Sequence, residues 1–190
     1  MRESIGAGSI FSIVVVFIVL FTSYLAISVN YAKAFKIKNH IVTMIENDEG
    51  YTSGGTNSTG SRINNYLTTE GYQAHGQVPC NGNYNDSGGT EFTMVGCIKG
   101  NSNGNACSGK SATAKVDCEV AIFKTSNYSN TDIDANNPTC VGSNRCCATR
   151  AYYRVITFFE INIPIIHNVT TFPVRGESKT IYPYAEVPGC

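Results

Sequence analysis

The sequence predicts an α+β protein: a long N-terminal helix, transmembrane then amphipathic, packed on a small antiparallel β-sheet head with disulfides. Three observations predict it. Residues 10–29, IFSIVVVFIVLFTSYLAISV, are uncharged and almost wholly apolar. Residues 30–48 carry their apolar positions at helical spacing. All eight cysteines lie in the remaining stretch, 49–190, which also holds segments of alternating apolar and polar residues.

The apolar run sets the first element. At 1.5 Å per residue, roughly 20 helical residues cross the ~30 Å hydrocarbon core of a bilayer. Only Ser12, Thr22, Ser23 and Ser28 interrupt the run, and such hydroxyls can donate to the helix's own carbonyls. Residues 10–29 are therefore expected to span a membrane, with residues 1–8 a short N-terminal segment before them. Ile10, Phe11, Val14, Phe17, Leu20, Phe21 and Tyr24 are the bulky side chains available to lipid or to other helices.

The helical signal continues past Val29. On a wheel of ~100° per residue, Ala34, Ile37, Ile41, Val42, Met44 and Ile45 fall on one side. Lys33, Lys36, Asn39, His40, Thr43, Glu46 and Asn47 fall on the other, and Lys38 alone sits among the apolar set. No Gly or Pro occurs between Gly8 and Gly50. Residues 9–48 are thus expected to form one rod of about 40 residues, ~60 Å long. Its second half, through Ala34, Ile37, Ile41, Val42 and Ile45, would dock on a folded head.

Residues 49–190 have the size of one ordinary domain. Formal net charge is zero and charged residues are 15% of the chain. A nucleic-acid partner is not expected, since phosphate binding needs clustered Lys and Arg. Eight cysteines in the head (Cys80, Cys97, Cys107, Cys118, Cys140, Cys146, Cys147 and Cys190) read as a disulfide framework in an oxidising space. The pairing stays open. Adjacent Cys146 and Cys147 are expected to bond different partners, and Cys190 to staple the chain end. No CxxC pair occurs and His40, His75 and His167 are scattered, which argues against zinc. No cofactor is expected.

Two local features oppose this topology. Lys33, Lys36 and Lys38 follow the apolar run, whereas only Arg2 and the amino terminus precede it. The positive-inside rule alone would leave the head in the cytoplasm. The cysteines argue for an extracytoplasmic head and outweigh the lysines, which are expected to be neutralised by packing in an assembly. Ala32-Lys33-Ala34 also resembles a signal-peptidase site. The long apolar run and the amphipathic pattern through that site favour an uncleaved helix.

Within the head, residues 49–60 (EGYTSGGTNSTG) read as a flexible connection. Ser61 is expected to cap a short helix with Ile63, Tyr66 and Leu67 on one face and Gly71 at its end. The stretch to Glu91 is turn-rich. Strands are expected at 92–99, 116–124, 151–163 and 172–182. In the third, Val155, Thr157, Phe159, Ile161 and Ile163 alternate with Arg154, Glu160 and Asn162, giving one buried face; Ile156 and Phe158 suggest partial cover on the other. Pro164 ends it, and the fourth strand returns antiparallel. The polar loop 125–149 is expected to need its disulfides for order.

This layout, a hydrophobic rod continuing into an amphipathic helix under a β head, resembles the lollipop architecture of type IV pilins. Two stretches are more specifically similar to the TadE/TadF-like pseudopilins of tight adherence (Flp-type) pili. One is Gly6-Ala7-Gly8-Ser9 leading straight into Ile10-Phe11. The other is ITFFEINIPII followed by a short turn and FPVRGESKTIY. The resemblance implies a subunit that assembles with other pilin-like subunits and with pilus assembly machinery. The family's glutamate near the fifth position of the processed segment has no counterpart: Glu3 precedes the apolar run, and Phe11 or Ile13 stands where it would fall. That departure argues against prepilin-peptidase processing and use as a major subunit.

Other motifs are weaker. Asp132, Asp134 and Asn136 alternate like calcium ligands, but Asn137 and Pro138 break an EF-hand pattern, so a solvated turn is expected. Asn-x-Ser/Thr sequons start at Asn57, Asn85, Asn127 and Asn168. No GxSxG, HExxH or P-loop motif occurs and no nucleophile–base pair suggests itself, so a non-enzyme is expected. Two functions remain. One is a pseudopilin-like subunit, minor or at the tip, of a surface pilus or secretion filament. The other is a single-pass surface adhesin or receptor, with Tyr72, Tyr84 and Tyr128 in polar loops available to a host or surface ligand.

Overall fold

The computed structural model describes residues 2–81, 92–100, 102–125, 152–162 and 169–181. Its elements are α1 (Arg2–Asn47), α2 (Thr59–Thr69), β1 (Gly76–Pro79), β2 (Phe92–Ile98), β3 (Lys115–Cys118), β4 (Val120–Thr125), β5 (Tyr153–Asn162) and β6 (Val169–Glu177). The fold is α+β: α1 packs on an antiparallel sheet of order β2-β4-β5-β6, with β1 and β3 forming a separate two-stranded ribbon.

α1 is one unbroken helix of 46 residues, about 70 Å long. It starts ahead of the apolar run rather than at residue 9. It ends in a Schellman-like turn: Glu49 takes a left-handed φ of 54° and the Gly50 N–H donates to the Ile45 carbonyl at 2.9 Å. The connection to α2 is not the flexible linker its composition suggested. Tyr51 is buried, and its hydroxyl donates to the Asn103 carbonyl at 2.6 Å. The cap of α2 is Ser58, three residues earlier than expected; its hydroxyl accepts from the Ser61 N–H at 3.2 Å. Gly71, at φ 59°, closes that helix.

Three layers result. Ile37, Ile41 and Ile45 of α1 and Ile63 and Leu67 of α2 meet Ile98, Val120, Ile122, Tyr153 and Val155 of the sheet. On the opposite face Met94, Ala121, Phe123, Ile156 and Phe158 meet Val78 and Val116 of the ribbon. Ile156 and Phe158 are therefore fully covered, not partly, because the ribbon lies over them. β1 was not foreseen; its four residues are bounded by turn formers and pair only with β3. The single strand expected at 116–124 is divided at Glu119, so that its halves serve two different sheets. In β2, Val95 is an extra residue between Met94 and Gly96, a β-bulge. The bulge lets Gly96 face the Tyr51 ring, where a Cβ would stand 2.5 Å from it. The last strand, expected at 172–182, begins and ends earlier, as its register against β5 runs from Val169 to Glu177.

Among the described residues, two disulfides bind the ribbon. Cys97–Cys118 joins β2 to the end of β3, and Cys80–Cys107 joins the end of β1 to the turn before β3. Cys140, Cys146, Cys147 and Cys190 lie outside the described residues. So do the 125–149 loop beyond Thr125, the Asp132–Asp134–Asn136 pattern, Tyr84, Tyr128, His167 and the sequons at Asn85, Asn127 and Asn168.

Candidate functional site

The feature that sets this chain apart is the division of one helix into two surfaces. In the apolar half, Ile10, Phe11, Val14, Phe17, Leu20, Phe21 and Tyr24 are all exposed, between 48% and 70%. Three of its hydroxyls are satisfied internally: Ser12 donates to the Gly8 carbonyl, Thr22 to Ile18 and Ser23 to Val19, each within 3.1 Å. This half is long and apolar enough to cross a membrane, with no part of its most apolar window buried against the rest of the chain. In the second half, Ala34, Ile37, Ile41 and Ile45 are buried at 1% exposure or less, and Val42 packs beside them.

The seam is pinned by polar contacts along its length. The Asn30 amide donates to the Glu160 carbonyl at 3.0 Å, and the Thr157 hydroxyl to the Ala34 carbonyl at 3.3 Å. Near the far end the Lys179 N–H donates to the Glu46 carboxylate at 2.8 Å. β5 therefore runs antiparallel to α1. The three lysines are all engaged with the head. Lys33 donates to the Gly71 carbonyl at 3.4 Å, and Lys36 pairs with Glu70 at 3.5 Å. Lys38, the residue on the apolar side of the wheel, is buried; its stem crosses Gly176 and its ammonium lies 4.0 Å from the Phe35 ring centroid. Burial lowers its pKa.

Tyr72 has a role its sequence context did not suggest. It is buried, not a surface recognition residue. The last β4–β5 pair is Val120 with Thr157, so Phe158 lies one position past the end of its neighbour strand. The Tyr72 hydroxyl fills the missing place: it accepts from the Phe158 N–H at 2.7 Å and donates to the Phe158 carbonyl. The ring of Phe158 in turn occupies the space above Gly76, leaving no room there for a Cβ. No local pattern announces such a cap; it depends on where β4 stops.

Burial raises the Tyr72 pKa above its ordinary 10.0, and burial likewise pushes Tyr51 up to about 12. Both are neutral when protonated, so the unfolded chain ionises first as pH rises. The stability they contribute is complete below pH 10.0 and is lost progressively above it, through about 12 for Tyr51. Tyr72→Phe is expected to cost about 2–3 kcal/mol at neutral pH, since two buried backbone groups lose their partner. It should also flatten the alkaline loss of stability. Denaturant unfolding followed from neutral to alkaline pH checks both.

Cys80, Cys97, Cys107 and Cys118 are consumed in disulfides and are not metal ligands. His75 faces Glu160 at 3.9 Å and the His40 ring lies tilted at 38° against Tyr66, with centroids 4.3 Å apart; both histidines are exposed. Asn57 is exposed. Compared with protein-family models, with curated proteins and with solved structures, the chain matches none.

Proposed function

We propose that this chain is a membrane-inserted, pseudopilin-like structural subunit, minor or at the tip, of a surface pilus or secretion filament. The observation that carries this reading is the two-sided helix: an apolar half with no cover and a second half that forms the core of the head. Such a rod can hold a subunit in lipid and later pass the same apolar surface to neighbouring rods without exposing it to water. Among the described residues the head supplies no comparable anchor. In this reading it is extracytoplasmic, at the cell surface or in the filament, and acts without cofactor or catalysis. Its disulfides support an oxidising location. The contacts of Lys33 with the Gly71 carbonyl and Lys36 with Glu70, and the packing of the Lys38 stem on Gly176, weaken the positive-inside objection, because these residues touch the folded head rather than a free flank. Partners are the membrane, other pilin-like subunits and their assembly machinery.

The test is the intact mass of the native chain, measured in filaments sheared from cells and in washed membranes. The expected result is the chain in the sheared fraction, full-length or cut after Gly6 or Gly8, lighter by two hydrogens for each disulfide. A chain confined to the membrane fraction would instead identify a tethered adhesin or receptor. Reduced cysteines there would place the head in the cytoplasm.

A further inference from the structure

The rings of Phe35, Tyr31, Phe159 and Phe172 form a continuous ladder across three elements. Phe35 and Tyr31 are neighbours on α1 at 6.3 Å, Tyr31 meets Phe159 of β5 edge-on at 5.5 Å, and Phe159 stacks on Phe172 of β6 at 5.4 Å. The hydrophobic core does not use the outer members: Tyr31 is 48% exposed, Phe35 42% and Phe172 41%. Three large aromatic rings left in water at one level of the molecule are a cost to a soluble fold.

That level is specific. Asn30 bonds to Glu160, so Phe159 lies level with the first turn after the apolar run, and Phe172 is its partner in the β5–β6 register. Along the helix axis Tyr31 stands about 3 Å, and Phe35 about 9 Å, beyond Val29. The interfacial layer on each side of a bilayer is roughly 5–8 Å deep. If residues 10–29 fill the hydrocarbon core, Tyr31, Phe159 and Phe172 fall within the headgroup layer and Phe35 stands at its outer edge; aromatic rings concentrate in this layer because one part of the ring environment is apolar and the other wet. Tyr24, seven residues before Tyr31 and therefore on the same side of α1, is 66% exposed and carries this aromatic side down into the apolar half.

We propose that this ladder is a lipid seat: Tyr31, Phe35 and Phe172 rest the head on the phospholipid headgroup layer before the subunit enters any assembly. The inference rests on the membrane-spanning reading of residues 10–29. A phospholipid surface, not a second copy of the chain, is the occupant, because the ladder lies at the height set by the apolar run and on the side of α1 that also carries exposed Tyr24 and Phe17. The seat would fix the height and tilt of the head, which a helix entering lipid alone would leave free.

The chain contains no tryptophan, so single tryptophans report without background. The full chain is reconstituted in phosphatidylcholine vesicles containing lipids brominated either near the headgroup or deep in the acyl chains. Four variants are compared: Phe17→Trp, Tyr31→Trp, Phe172→Trp and, on the exposed face of the docked half, Thr43→Trp. Phe17→Trp is expected to be quenched by deep bromines. Tyr31→Trp and Phe172→Trp should be quenched by shallow bromines severalfold more than Thr43→Trp. If Phe17→Trp is quenched and neither ladder variant exceeds Thr43→Trp, the seat is wrong while the membrane span stands. Blue-shifted ladder emission without lipid quenching would overturn it in favour of a contact between copies. If Phe17→Trp itself escapes quenching, the span fails and the seat falls with it.

Discussion

Ile41→Asp is expected to unfold the head while leaving the apolar half of α1 unaffected. Ile41 has 0% exposure and sits in the middle of the seam, between Ile37 and Ile45 and under the helix-facing side of the sheet. A carboxylate there would have no ion-pair partner within the cluster, whose members are apolar or tyrosine. Burying an unpaired charge, or protonating it to avoid doing so, costs several kcal/mol on top of the lost packing. The total exceeds about 4 kcal/mol, a large part of the roughly 5–15 kcal/mol that holds a small domain folded. Ile41→Val removes one methylene from the same place and should cost only about 1 kcal/mol. Phe17→Asp, at a side chain 68% exposed, should leave head stability unchanged. Limited proteolysis and denaturant unfolding of the detergent-solubilised chain separate the three. Unaltered protease resistance in Ile41→Asp would mean that α1 does not form the core of the head.

What could be read from the sequence was local, and what could not be read depended on a distant neighbour. The apolar run needs only a length rule, and helical spacing alone puts Ile37, Ile41 and Ile45 on one stripe; all three are 0% exposed. Strand alternation in β5 correctly puts Val155 and Thr157 on a buried face, but Phe159 and Ile161, expected on the same face, are only half-buried, and alternation cannot tell whether Ile156 and Phe158 are covered. Their cover comes from β1, whose sequence, Gly-Gln-Val-Pro, has too few residues and too many turn formers to announce a strand. The break at Glu119 was hidden for a similar reason. Residues on both sides have strand character, and only the competition between two sheets divides them; the Glu119 N–H donates to the Ile98 carbonyl at the point of departure. Tyr72 reads as a loop aromatic because its partner, Phe158, is 86 residues away. The ladder from Tyr31 to Phe172 likewise exists only once β5 and β6 are in register. Ser58 and Ser61 are both cap-formers three residues apart, so local sequence does not choose between them; in the fold Ser58 is the cap and Ser61 supplies the N–H it accepts.

Cys97→Ala with Cys118→Ala is expected to detach the ribbon from the sheet before the rest of the head unfolds. The bond spans 21 residues of sequence and connects strands of different sheets. Closing a loop of that size in the unfolded chain is worth about 3 kcal/mol on entropic grounds. Both cysteines are also buried, Cys118 at 0% and Cys97 at 5%, so their replacement removes packing between the two layers as well. The Cys80–Cys107 bond joins parts of the ribbon to each other and not to the sheet, and two strands of four residues cannot be stable in isolation. Its loss would uncover Phe123, Ile156 and Phe158, all buried at 2% or less, and give the sheet a second apolar face toward water. The helix-facing core, made by Ile37, Ile41, Ile63, Leu67, Val120 and Val155, contains no cysteine and should survive the change. Hydrogen exchange provides the check. Amides of β1 and β3 should lose most of their protection in the double variant, while those of β4, β5 and the second half of α1 keep theirs. The expected fall in global stability is about 2–5 kcal/mol. Uniform loss of protection across both cores would mean instead that the two layers fold as one unit, with the disulfide holding the whole head rather than its outer layer.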